Sequence, residues 1–126
     1  DILLLDVTPL SLGTDVTKAD GKLYMSKIIP RNTAIPIEKT ERYNTHSDDQ
    51  TRIRVQVLQG EAELASQCHL IDETTIGNIN PGPKGTEKID VTYKIDVNGL
   101  FQAVIRDVRT GNSESLSITQ DRMNLS

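Results

Sequence analysis

TRIRVQVLQGE, Thr51 to Glu61, decides how the rest of the chain is read. Ile53, Val55 and Val57 recur at every second position, and Arg52, Arg54 and Gln56 fill the places between. An alternation of two is the period of a strand with one dry face and one wet face. Leu58 departs from the alternation near the end, and Gly60 closes the strand. The dry face either fills a core or offers a binding surface, and the flanking sequence has to separate the two.

Upstream, the chain is a series of short β-forming runs cut by turn residues. DILLLD (Asp1–Asp6) sets four aliphatic residues between two acids, which suits a first strand or a docking linker. Pro9 in VTPLSLG lacks an amide donor and belongs at a strand start or edge. Thr14–Lys22 reads as a polar connection holding the turn dipeptide Asp20-Gly21. Leu23–Ile29 is expected to be a strand, Asn32 a turn residue between Pro30 and Pro36, and Glu38–His46 a half-exposed strand.

Downstream, Glu61–Gln67 is the one helix-like run, too short to stand alone. Cys68–Ile79 is expected to hold a strand, and NPGPKG (Asn80–Gly85) a rigid loop. Ile89, Val91, Tyr93, Ile95 and Val97 give the cleanest alternation in the chain and are expected to be core. Asn98-Gly99 is a strong hairpin signal, returning the chain through Leu100–Val108. Ser113–Thr119 makes the last strand and Gln120–Ser126 a polar tail. Short strands with regular turns predict an all-β fold, an antiparallel β-sandwich or barrel.

A chain of 126 residues suits one domain with one core. Aromatics make up only 3%, with no Trp, so core and sites must be mostly aliphatic. The net charge of −4 argues against nucleic acid as a partner. A single cysteine rules out an internal disulfide. Ile2–Leu5 is far short of the roughly 20 apolar residues that span a bilayer, and it lacks the basic flank of a signal peptide. No membrane partner is expected, and a start at Asp1 without Met reads as a piece of a longer protein.

Chemistry-bearing constellations are scarce. His46 and His69 form no i,i+4 pair and no Cys/His cluster, so no metal is expected. Cys68 reads as a small packing residue, since a reactive thiol needs an electropositive setting. Asp48-Asp49 is too short for a calcium loop, and NPGPKG has the wrong spacing for a phosphate loop. Catalysis has no candidate residues. A carbohydrate-binding or adhesion sandwich is the alternative, with only Tyr24, Tyr43, Tyr93 and Phe101 as possible platforms.

Five segments in order, LLLDVTPLSLG (Leu3–Gly13), IPRNTAIP (Ile29–Pro36), DDQTRIRVQVLQGE (Asp48–Glu61), NINPGPKG (Asn78–Gly85) and IDVNG (Ile95–Gly99), carry a resemblance. The chain resembles the peptide-binding β-subdomain of the 70-kDa heat-shock chaperones, the DnaK-like family. The resemblance implies a β-sandwich whose loops form a cleft at one end for extended hydrophobic peptides of unfolded proteins. It implies residues 1–6 as the end of an interdomain linker (Ile2, Leu3, Leu4, Leu5, Asp6), residues 7–119 as the sandwich, and residues 120–126 as the start of a connection to a helical lid. It places Tyr43, where the family usually has Phe, with Ile53 and Val55 on the walls of the central pocket. Thr14 falls where Ile is usual. His46 falls on one side of an arch over the peptide, with its partner near Thr17.

For the parent, the resemblance implies an ATPase domain using ATP and Mg, a lid, a J-domain co-chaperone and a nucleotide-exchange factor. No cofactor and no catalysis are expected within the 126 residues, and the parent's expected compartment is cytoplasmic. Three departures mark a divergent member. The Thr14–Leu23 loop is longer than in common members. His46 is larger and more polar than the usual arch residue. IDET (Ile71–Thr74) lacks an aromatic, which should loosen or repack one side of the sandwich. The overall acidity is expected to favour peptides with basic flanks.

Overall fold

The computed structural model describes residues 7–123. Among the described residues, eight strands form two antiparallel four-stranded sheets. β1 (Leu12–Thr17), β2 (Leu23–Ile29), β4 (Ile53–Gln59) and β5 (His69–Ile76) make one, in the order β2-β1-β4-β5. β3 (Ile37–Asn44), β6 (Lys88–Ile95), β7 (Phe101–Asp107) and β8 (Ser113–Ile118) make the other, in the order β3-β6-β7-β8. The all-β sandwich expected from the spacing of strands and turns is what forms.

The core lies between the sheets and is aliphatic, as the composition requires. Val55 and Val57 of β4 meet Ile89, Val91, Tyr93 and Ile95 of β6 and Phe101, Ala103 and Ile105 of β7 in one buried cluster. Tyr93 and Phe101 pack edge to face with ring centroids 4.9 Å apart, the arrangement favoured by the ring quadrupoles. The β6–β7 hairpin turns at Asn98-Gly99, with Gly99 at φ +81°. The Asp96 carboxylate accepts the amides of Asn98 and Leu100 at 2.8 and 2.9 Å.

Four sequence expectations need correction. Thr14–Thr17 is strand, not loop: β1 continues through Asp15↔Met25, Val16↔Tyr24 and Thr17↔Leu23. Its β-branched residues support extension in spite of their polarity, so the long Thr14–Leu23 loop reduces to a turn over residues 18–22. Val97 lies beyond β6 and is 63% exposed; the alternation ends one step early because the turn begins at Asp96. The helix-like run yields only a 3-10 turn, Ala65–Gln67. Leu58 departs from the alternation inside β4, as expected, and is buried, and the strand ends just before Gly60. The polar tail is anchored, since Met123 is fully buried in the core cluster and Arg122 reaches Asp72 at 3.4 Å.

β5 carries a bulge within IDET. Val57 pairs Asp72 and Leu58 pairs Leu70, which leaves Ile71 as the extra residue of β5. Ile71 packs against the core from there. The expected linker, Ile2–Asp6, lies outside the described residues.

Candidate functional site

The site begins where two neighbouring strands part. β1 pairs with β4 only at Leu12↔Gln59 and Gly13↔Leu58. At the same point β1 slips register against β2, Leu12 pairing Ile29 and Gly13 pairing Lys27, so Ile28 is a bulge residue. A bulge bends its strand and sharpens the local twist. Gly13 permits the approach this requires, because a Cβ there would overlap the Ser26 carbonyl. Beyond Gly13 the edge of β4 from Ile53 to Val57 has no strand partner on the β1 side among the described residues.

Parted strands leave backbone groups to be satisfied. Two side chains do it. The Tyr93 hydroxyl, from the opposite sheet, donates to the Gly13 carbonyl at 2.7 Å and lies 3.3 Å from the Gln56 carbonyl. The Asp15 carboxylate accepts the Gln56 amide at 3.2 Å and pairs with Arg54 at 3.7 Å. Burial pushes the Tyr93 phenol well above its usual range, so it stays a donor.

The parting opens into a cavity of about 800 Å³, within the range of small-ligand sites. Its aliphatic floor joins the two sheets, Ile53 and Val55 from β4 with Ile89 and Val91 from β6. Thr14, Val16 and Thr17 of β1 and Leu23 of β2 form one wall. Tyr43, Asn44, Thr45 and His46 form the other. Tyr43 is half-buried, its hydroxyl 2.8 Å from the Ser26 hydroxyl, which ties β3 to β2. Burial raises its pKa, and the Ser26 bond offsets part of that.

The His46 wall is held by main-chain bonds from the loop after β5. The Gly85 amide donates to the Thr45 carbonyl at 3.0 Å and the Asp49 amide to the Gly82 carbonyl at 2.7 Å. Gln50 completes the brace, its Oε1 accepting the His46 amide at 2.8 Å and its Nε2 donating to the Arg52 carbonyl at 2.9 Å. His46 itself is exposed at the rim, as is Thr17.

All six residues singled out in the sequence, Thr14, Thr17, Tyr43, His46, Ile53 and Val55, line this one cavity. Sequence reasoning missed Asp15, Gln50, Ile89, Val91 and the cationic residues Arg42, Arg52, Arg54 and Lys84. Arg52 and Arg54 had a visible signal, being the wet positions between Ile53 and Val55. The lining inverts the chain's charge, with four cationic side chains against Asp15. Two of the four are paired, Arg42 with Asp90 and Arg54 with Asp15.

Tyr93 and Phe101 are sealed in the core, which leaves a sugar site only Tyr24 and Tyr43. Burial pushes the Cys68 thiol up, away from nucleophilic use. Among the described residues, no group of three or more His, Cys, Asp or Glu side chains is placed to hold a metal ion.

Comparison with known proteins gives a consistent result. The family model described as Hsp70 protein matches residues 1–126. The "Chaperone protein dnaK" of Cyanidium caldarium is 44% identical over 119 residues, covering 94% of this chain. The protein of the same name from Cyanidioschyzon merolae is also 44% identical over 119 residues, with 94% of this chain covered. The chain spans 19% of the length of each of these relatives.

Proposed function

Because the chain belongs to the Hsp70 family, we propose that its open cavity holds extended hydrophobic segments of unfolded proteins, as the binding module of a chaperone. The observation that carries this reading is the parting of β1 from β4 over an aliphatic floor, with all six candidate residues around it. A strand-lined cleft of this kind takes a stretched chain by its backbone and one side chain by a pocket. Backbone bonds are indifferent to sequence and contribute a net of about 0.5–1.5 kcal/mol each. Burying a Leu- or Ile-like side chain on Ile53, Val55, Ile89 and Val91 adds roughly 1.5–3 kcal/mol. A micromolar Kd corresponds to about 8 kcal/mol, which the filled pocket and the backbone bonds must supply net of the cost of ordering the peptide.

In the parent, an ATPase domain using ATP and Mg would set the affinity of this cleft, with Ile2–Asp6 as the linker and residues 120–126 leading to a lid. J-domain and exchange-factor partners, and a cytoplasmic location, belong to the same proposal. Such control requires two states of the cleft that differ in peptide affinity. The parent would hydrolyse ATP, while the 126 residues bind.

Fluorescence anisotropy tests the binding step directly, using a Leu-rich extended heptapeptide and an all-Ser peptide of equal length. The Leu-rich peptide is expected to bind at micromolar concentration and the Ser peptide to show no saturation. Equal binding of both, or of neither, would defeat the reading.

A further inference from the structure

The cavity's charge is opposite to that of the molecule. The chain carries a formal −4, yet Arg42, Arg52, Arg54 and Lys84 line the cavity with Asp15 as the one carboxylate among the lining residues. All four cationic residues are exposed. Two are committed, Arg42 to Asp90 at 2.8 Å and Arg54 to Asp15 at 3.7 Å. Arg52 and Lys84 form no ion pair among the described residues; the Asp48 carboxylate accepts the Lys84 backbone amide at 2.9 Å.

We infer that the preferred occupants of the cleft are hydrophobic segments flanked by acidic residues. This rests on the peptide-binding reading above and names its substrate class. The aliphatic floor selects the central side chain, while Arg52 and Lys84, both joined to the His46 wall, are left to meet charges next to it. Each exposed pair contributes modestly and is screened by salt. The preference is therefore a bias of about three- to tenfold at low salt, summed over two pairs.

Three peptides with one Leu-rich core test it on the 126-residue chain, flanked at both ends by Asp, Ser or Lys pairs, with an Asp-flanked peptide of Ser core as control. The expected order of affinity is Asp, then Ser, then Lys, converging as NaCl rises from about 0.05 to 0.5 M. The double variant R52E/K84E is expected to reverse the order. Equal affinity of the three Leu-core peptides overturns the flank preference and leaves the cleft standing, and so does tightest binding by the Lys-flanked peptide. An Asp-flanked Ser core that binds as well as its Leu counterpart, or failure of all four to bind, overturns both.

Discussion

Tyr93 and Asp15 bond backbone groups that the parting of β1 from β4 leaves without a ladder partner. Tyr93 is buried in the core cluster, and its hydroxyl supplies the Gly13 carbonyl with the donor that β4 withholds. Tyr93→Phe keeps the ring and its packing on Phe101 but leaves that carbonyl short of a partner. A cost of about 1–3 kcal/mol is expected, read as a lower urea midpoint at constant m-value. An unchanged midpoint would show that another donor reaches Gly13. Ile53 acts from the cavity side. It is nearly covered yet fronts the open space, so Ile53→Phe should extend into the cavity without straining the sheets. Peptide affinity is expected to fall about ten- to a hundredfold, the loss of one buried aliphatic side chain. Circular dichroism should stay native, and unchanged affinity would remove Ile53 from the site.

At the scale of strands, the cleft depends on the bulge at Leu12/Gly13. Gly13→Ala forces a methyl group onto the Ser26 carbonyl, so β1 and β2 must shift at the bend. A loss of about 2–4 kcal/mol is expected by urea denaturation, with faster amide exchange along β1. Stability equal to wild type would mean that β2 yields freely at Ser26. The sequence announced the strands well because alternation and turn chemistry are local. Leu23–Ile29 holds as β2 to the residue, and Ile53, Val55 and Val57 mark β4. It did not announce the parting of β1 from β4. Bulges at Ile28 and Ile71 arise from how strands distant in sequence meet, and no local period records that. Thr14–Thr17 was hidden for a related reason: its polarity reflects a wall facing a cavity, while its β-branching reflects the strand. Tyr43, Ile53 and Val55 were legible as site candidates only through family resemblance, since a dry face on a strand is the same pattern whether core or cleft.

Over the whole molecule, charge does two jobs in different places, one around the cavity and one at the seams. Glu61 joins the chain entering at Ser11 to the end of β4. Its carboxylate accepts the Ser11 amide and hydroxyl at 2.8 Å each and pairs with Lys27 at 3.4 Å. Burial alone would raise its pKa, but the Ser11 bonds and Lys27 outweigh that and lower it. Glu87 is lowered by the bidentate grip of Arg109, and Asp90 by Arg42 across β3 and β6. A carboxylate whose folded pKa lies below its unfolded value stabilises the fold fully above the unfolded value, and that contribution disappears as pH falls through the folded value. The fold should therefore lose stability below about pH 5. General repulsion contributes too, since acid leaves the 14 Lys and Arg side chains unbalanced. Glu61→Gln separates the two effects, because it removes one titrating seam and barely alters the repulsion at low pH. The variant should be less stable than wild type at pH 7, and the gap should narrow toward pH 3. Urea midpoints measured at both pH values decide it: a gap that stays constant would mean that the Ser11–Glu61 seam does not depend on the carboxylate's charge.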